Sequence, residues 1–264
     1  MKIKNLIKKV IITMMIASIA MSAVACSNNK SVSTMDKDVL ILGFDDTFVP
    51  MGFKGDDGEY TGFDIDLAKE ISKKLNKEIK LQPIDWTMKE TELNNKNIDF
   101  IWNGFSITDA RKEKVAFSKA YLKNRQVIIT LKGSDIKTKE DLKGKSVAAQ
   151  DQSSAVDAIG SFKSNFKELV TFSTNDEALR DLEAGRVQAV VADEILSRYY
   201  INLKGVDKYD VLAEDFGSEE YAVGMRKDDT ELLDAFNKAY DEVVKDGTAS
   251  KIAIKWFGED IIEK

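Results

Sequence analysis

Residues 98–111 read IDFIWNGFSITDAR, and this stretch decides the fold. An apolar, strand-like run ending at Trp102 breaks at once into Asn103, Gly104, Ser106, Thr108 and Arg111, a set of hydrogen-bonding groups around one fixed cation. In an open α/β sheet, ligands bind in the crevice beyond the carboxyl ends of the strands. A buried strand that turns polar at its last residue is how such an edge reads in sequence.

Working outward, the pattern recurs. VLILGF (39–44) is followed by Asp45, Asp46 and Phe48, and EIKLQPI (78–84) by Asp85 and Trp86. KSVAAQ (145–150) is followed by Asp151, Gln152, Ser153 and Ser154, and VQAVVA (187–192) by Asp193 and Glu194. Between these runs lie helical patterns. In DIDLAKEISKKLN (64–76) the apolar Ile65, Ala68, Ile71 and Leu75 recur every three or four residues. TNDEALRDLEAGR (174–186) opens with Thr174 and Glu177 at capping-box spacing and closes on Gly185. The alternation predicts an α/β fold of βαβ units, with mostly parallel sheets flanked by helices.

Domain organisation follows from two extended segments rather than from a linker, since the prolines, Pro50 and Pro83, both fall early. If YLKNRQVIITLKG (121–133) and SEEYAVGMRKDD (218–229) both cross between lobes, the chain goes out once and returns once. Lobe 1 is then discontinuous, 38–122 plus 222–264, lobe 2 covers 126–218, and hinges lie near 123–125 and 219–221. A single continuous domain is the alternative.

Residues 1–25 carry a basic start (Lys2, Lys4, Lys8, Lys9), an apolar run and then small residues, the pattern of an export signal. The apolar run is too short and too interrupted by Thr13, Ser18 and Ser22 for a membrane span. SAVAC (22–26) resembles a bacterial lipobox, which implies a lipidated Cys26, with 26–37 as a flexible tether. Cys26 is the only cysteine, so no disulfide can form within the chain, and an ordinary signal peptide with a spare thiol is the other reading. A formal charge of −6, more acidic still once the leader lysines are removed, argues against nucleic-acid binding. The absence of histidine removes Ser-His-Asp and Cys-His triads and histidine-rich zinc sites.

Each polar residue at a strand end has a plainer reading. Arg111 suits a solvated helix, Asp193 and the two serines suit helix caps, and Phe48 and Trp86 suit ordinary core. Their joint placement favours a site.

Over residues 39–258 the chain resembles the polar amino-acid-binding proteins that feed ABC importers, bacterial extracellular solute-binding proteins of family 3, the lysine-arginine-ornithine and glutamine binders among them. The likeness rests on DDTFVPMGF (45–53) with GEYTGFDIDLAKEI (58–71), on IDFIWNGFSITDARKEKVAFSKAY (98–121), LKGKSVAAQDQSS (142–154), EALRDLEAGRVQAVVADE (177–194), YAVGMRKDDTELLDAFNKAYDEVVKDGT (221–248) and IAIKWFG (252–258). The resemblance implies a two-lobed, periplasmic-binding-protein-like clamshell of type II with two hinge strands, monomeric and without cofactor, metal or catalysis. It would close on one free L-amino acid and present it to an ABC transporter permease. It would be held on the outer face of the cell membrane by its lipid anchor, in the Gram-positive manner.

Carried over by position, Arg111 would bind the ligand carboxylate, with Ser154 and the backbone amide of Ser153, and Asp193 the ammonium. Gly104, beside Asn103 and Ser106, would offer a carbonyl to the ammonium. Phe48 and Trp86 would sandwich the side chain and Asp45 would meet its far end. One departure is visible, Gln152 where the family usually has glycine. Stacking of a guanidinium on Phe48 and Trp86, with Asp45 to neutralise it, favours a cation such as arginine. A neutral ligand, glutamine or cystine, is the alternative. So are an enzyme of dehydratase type on the same fold, with Glu194 as its acid, and an amino-acid sensor without transport.

Overall fold

The computed structural model describes residues 33–264. The expected signal segment 1–25, Cys26 and the tether up to residue 32 lie outside the described residues. Among the described residues no helix is long and apolar enough to cross a membrane.

Two five-stranded sheets share one plan. The first runs Glu78–Pro83, Val39–Phe44, Phe100–Ile101, Gly224–Met225, Ala116–Phe117, and the second Glu168–Phe172, Ser146–Gln150, Ala189–Asp193, Leu122–Leu131, Tyr209–Tyr221. In each, the first three strands are parallel and the last two join antiparallel. Both sheets are therefore mixed. The run expected at 98–102 is trimmed to Phe100–Ile101, because Asp99 turns inward and accepts from Ile41 N at 3.0 Å.

The inner strands Phe100–Ile101, Ser146–Gln150 and Ala189–Asp193 are buried on both faces, as parallel sheets with helices on either side are, while the edge strands Glu78–Pro83 and Glu168–Phe172 keep exposed positions. In the first sheet Leu40, Leu42, Phe44 and Phe100 are fully buried with Phe63, Ile65 and Ile71 of the helix Phe63–Leu75. That helix stops at Asn76, whose φ of 52° puts it in the left-handed region an asparagine tolerates. In the second sheet Val147, Ala149, Ala189 and Val191 face Ala155 and Ile159, while Ala148, Val190 and Ala192 face Leu179, Leu182 and Leu196. Burying each large aliphatic side chain contributes about 1.5–3 kcal/mol. The capping box holds: Glu177 N donates to Thr174 Oγ1 at 3.2 Å and Thr174 N to the Glu177 carboxylate at 3.3 Å.

The chain leaves the first sheet after Ala116–Phe117, enters the second through Leu122–Leu131, and returns from Tyr209–Tyr221 to Gly224–Met225. The two crossings pair antiparallel, Leu122 opposite Tyr221, Asn124 opposite Glu219 and Arg125 opposite Ser218. Just past the return, Arg226 is 5% exposed and clamps the first sheet from within. Its guanidinium meets Asp99 at 2.7 Å and Asp229 at 3.0 Å, and also donates to the carbonyls of Ile98 and Leu93.

Candidate functional site

Arg111 sits on the helical turn Asp109–Lys112, where Thr108 Oγ1 accepts from its backbone N–H. Its side chain is not solvated. The residue is 4% exposed, with the guanidinium over the Phe105 ring at 4.5 Å. Nη1 donates to the carbonyl of Ser106 at 2.9 Å and Nη2 to that of Gln152, across in the second sheet's half, at 3.2 Å. Among the described residues no carboxylate forms an ion pair with it, in contrast to Arg226. Burial disfavours its charge, and Asp157 is the first of several acids that favour it. An arginine does not give up its proton in a protein, so the cation stands.

Asp193 ends the strand Ala189–Asp193 and is also 4% exposed. It occupies the cap position of the helix Glu194–Lys204, yet its side chain caps nothing. Oδ1 accepts instead from Tyr221 OH at 2.8 Å, Gln126 Nε2 at 2.9 Å and Asn124 Nδ2. No cation pairs with it among the described residues. Burial, and next the charge of Glu219, push its carboxyl well above the usual range.

Gly104 connects these ends. With φ at 56°, and with a Cβ there set to fall 2.8 Å from the Phe48 ring, only glycine fits. Its N–H donates to Asp64 Oδ2 at 2.8 Å, a fully buried carboxyl that burial raises to about 7. Ser153 stands before the short helix Ser154–Ile159, and its hydroxyl donates to Gln150 O at 2.7 Å rather than capping.

Phe48, Trp86, Asn103, Gly104, Arg111, Ser153, Ser154 and Asp193 come together around one small cavity of about 10 Å³, joined by Gln150. Asp45 and Ser106 do not line it. Asp45 Oδ1 is taken by the N–H and hydroxyl of Thr47, and its Oδ2 by Gln150 Nε2 at 2.7 Å, a bond between the two halves. Ser106 lies behind the wall, its carbonyl on Arg111 and its hydroxyl on Glu219 at 2.6 Å. Asn103 accepts from Asp45 N through Oδ1 at 3.1 Å.

Sequence reasoning missed four residues here. Gln150 was read as the end of a strand, although the strand-end rule applied one residue earlier would have included it. Lys89 looks like an exposed helix charge, yet it is 1% exposed, with Nζ 3.2 Å from the carbonyls of both Trp86 and Gln152. Burial, and then Arg111 beside it, pull its pKa down to about 8. Gln126 and Glu219 lie on the crossing strands and carry no signal beyond their polarity. The departure at Gln152 has a backbone consequence: its φ is 52°, the conformation a glycine would take without strain.

Glu194, the acid an enzyme would need, is neither free nor facing solvent alone. Arg125 holds it at 2.6 and 2.9 Å and Arg198 also pairs with it, and Arg125 first of all holds its carboxyl below the usual range. It is ionised and committed.

A buried cation and a buried acid, each without a partner of opposite charge among the described residues, thus lie on the wall of one cavity, an arrangement that a small molecule carrying both charges would complement. Residues 40–259 match the family described as bacterial extracellular solute-binding proteins, family 3. The L-cystine-binding protein TcyJ of Escherichia coli K12 is 32% identical over 238 residues, covering 86% of this chain and 85% of that protein. The arginine-binding extracellular protein ArtP of Bacillus subtilis is 33% identical over 263 residues, 95% and 98% of the two chains. An ABC uptake transporter substrate-binding protein from Streptococcus pneumoniae, solved with bound histidine, superposes with a TM-score of 0.84 at 43% identity, covering 87% of this chain and 96% of that one. These relatives are binding proteins rather than enzymes.

Proposed function

The chain belongs to the bacterial extracellular solute-binding proteins, family 3, the polar amino-acid-binding components of ABC uptake transporters, and on that premise we propose that it captures a cationic L-amino acid, arginine foremost, between Arg111 and Asp193 and hands it to a permease. The observation that carries this is the pair of buried charges that no described residue neutralises. A closing cleft must replace the hydration of both ends of a zwitterion, several kcal/mol per ion. Arg111 offers the carboxylate its remaining N–H donors in fixed geometry, with Ser154 and the Ser153 amide beside it. Asp193 takes the ammonium, with the Gly104 carbonyl. The two crossings at 123–125 and 219–221 serve as hinges, so a ligand touching both halves favours the closed state.

Phe48 and Trp86 on the cavity wall favour arginine, since a guanidinium stacked on an aromatic face gains roughly 0.5–2 kcal/mol. The relative from Bacillus subtilis is named for arginine. Glutamine or cystine is the second reading, favoured by the Gln150–Asp45 bond, which already occupies the acid a cation would want.

Calorimetry against L-arginine, L-histidine, L-glutamine and L-cystine tests this. Arginine is expected to bind tightest, and Asp45→Asn to narrow its lead over glutamine. Tighter glutamine or cystine binding by the wild type sinks the cationic assignment, and no binding of any of them sinks the zwitterion reading.

The same proposal includes a lipid anchor at Cys26. Labelled fatty acid is expected on the wild type in a lipoprotein-processing host and not on Cys26→Ala. A wild type without label shows that the lipobox reading is wrong.

A further inference from the structure

Glu219 lies on the return crossing, directly opposite Asn124 on the outgoing one. Its Oε1 accepts from Ser106 Oγ at 2.6 Å, Asn124 Nδ2 at 2.7 Å, Gln126 Nε2 at 2.8 Å and Ser154 Oγ at 3.2 Å. Ser106 follows a strand of the first sheet, Ser154 a strand of the second, and the two amides sit on the crossing itself. One carboxylate oxygen is thus bonded from both halves of the molecule and from between them.

The same two amides reach Asp193. Gln126 Nε2 lies 2.9 Å from Asp193 Oδ1, and Asn124 Nδ2 bonds it as well. Asp193 and Glu219 therefore share these N–H donors and also stand close enough to hydrogen-bond to each other directly, and among the described residues neither is ion-paired. Tyr221 OH donates to Asp193, and Arg111 acts on both acids only from a distance. The remaining groups in contact are the neutral Ser106, Asn124, Gln126 and Ser154. Two acids this close favour a cation between or beside them. The two hydroxyls join the same network. Ser106 gives its proton to Glu219, and Ser154 accepts from Gln126 at 3.1 Å while donating to Ser106 or Glu219.

We propose that Glu219 is a positioning residue of the ammonium end of the site, which holds Ser106, Ser154, Asn124 and Gln126 in the closed arrangement and completes with Asp193 an acid pair for the ligand's amine. This rests on the amino-acid reading above. The pair accounts for a proton as well. Without a cation, burial and then Glu219 favour the protonated form of Asp193; whatever proton it holds leaves for solvent when R–NH3+ arrives, and the ligand's charge replaces it. The sign follows. Affinity rises with pH above the ordinary carboxylate range and levels off once Asp193 of the free protein has lost its proton.

The test is calorimetry with L-arginine in two buffers of different ionisation enthalpy, repeated across pH. The wild type is expected to release part of a proton on binding. Glu219→Gln should lose roughly tenfold or more in affinity and most of the proton release. It should melt, ligand-free, no lower than the wild type, because a like charge beside Asp193 has been removed. Glu219→Asp, which keeps the charge, should recover part of both. Wild-type binding without proton release overturns the acid pair, and needs no variant. Unchanged binding by Glu219→Gln, or lost affinity that only follows lost ligand-free stability, overturns the positioning role. A wild type that binds none of the amino acids sinks the reading beneath it instead.

Discussion

Arg111→Ala is expected to weaken amino-acid binding by 2 to 5 kcal/mol, roughly 30-fold to several thousand-fold, while the ligand-free protein melts close to the wild-type temperature. The asymmetry comes from what the guanidinium touches. Its bonds within the protein are to two carbonyls, Ser106 and Gln152, and Lys89 already donates to the second of these at 3.2 Å. No buried acid is stranded by its removal. The ligand carboxylate, in contrast, would enter the cavity without its cation. Asp193→Ala is expected to cost the amine end as much. Lys112→Ala is the control, an exposed residue paired only with exposed Asp109 at 3.0 Å, and exposed pairs contribute little. Glu194 is no control, since it holds both Arg125 and Arg198. Near-normal binding by Arg111→Ala, or equal damage from Lys112→Ala, would place the site elsewhere.

The other buried arginine should show the reverse. Arg226→Ala is expected to lower unfolding stability by about 3–5 kcal/mol, as removal of one partner from a buried ion pair does. Asp99, fully buried, would keep only the half-exposed Lys37 at 2.7 Å as a cation, and the Ile98 carbonyl would lose the guanidinium, while that of Leu93 keeps the N–H of Lys96 at 3.1 Å. Such a loss is a large share of an ordinary domain's 5–15 kcal/mol. Urea denaturation measures it, and a loss under about 1 kcal/mol would show that water or Lys37 substitutes for the guanidinium. Two arginines, equally hidden, thus differ: Arg226 has its acids within the protein, whereas Arg111 is proposed to find its acid in the ligand.

The fold could be read from the sequence wherever periodicity or capping chemistry is local. The helix at Phe63–Leu75, the Thr174–Glu177 box and the strands before Asp45, Ser153 and Asp193 are of that kind. Eight of the ten ligand-contact residues named from sequence line one cavity, because the end of a buried strand is a geometric place as well as a sequence position. Asp45 shows the limit. Its position was legible, but Thr47, two residues on, and Gln150, a hundred and five residues away, decide where its oxygens point. Glu219 shows a deeper one. In SEEYAVGMR nothing distinguishes it from exposed Glu220 beside it; only the pairing with Asn124 across the crossing turns it inward. Lys89 was lost for the same reason, since a lone turn of helix carries no periodicity to mark its buried face.

The strand Gly224–Met225 sits in the interior of the first sheet, between Phe100–Ile101 and Ala116–Phe117, although about a hundred residues of the second half intervene before it in the chain. As the polypeptide emerges from its N-terminus, every strand of the second sheet, up to Tyr221, is present before this one. The first sheet must wait, its Phe100–Ile101 edge unpaired, until the enclosed half has passed. Long-range closures of this kind form late and slowly. The half that begins the sequence thus depends for its completion on a strand supplied from beyond the half it encloses.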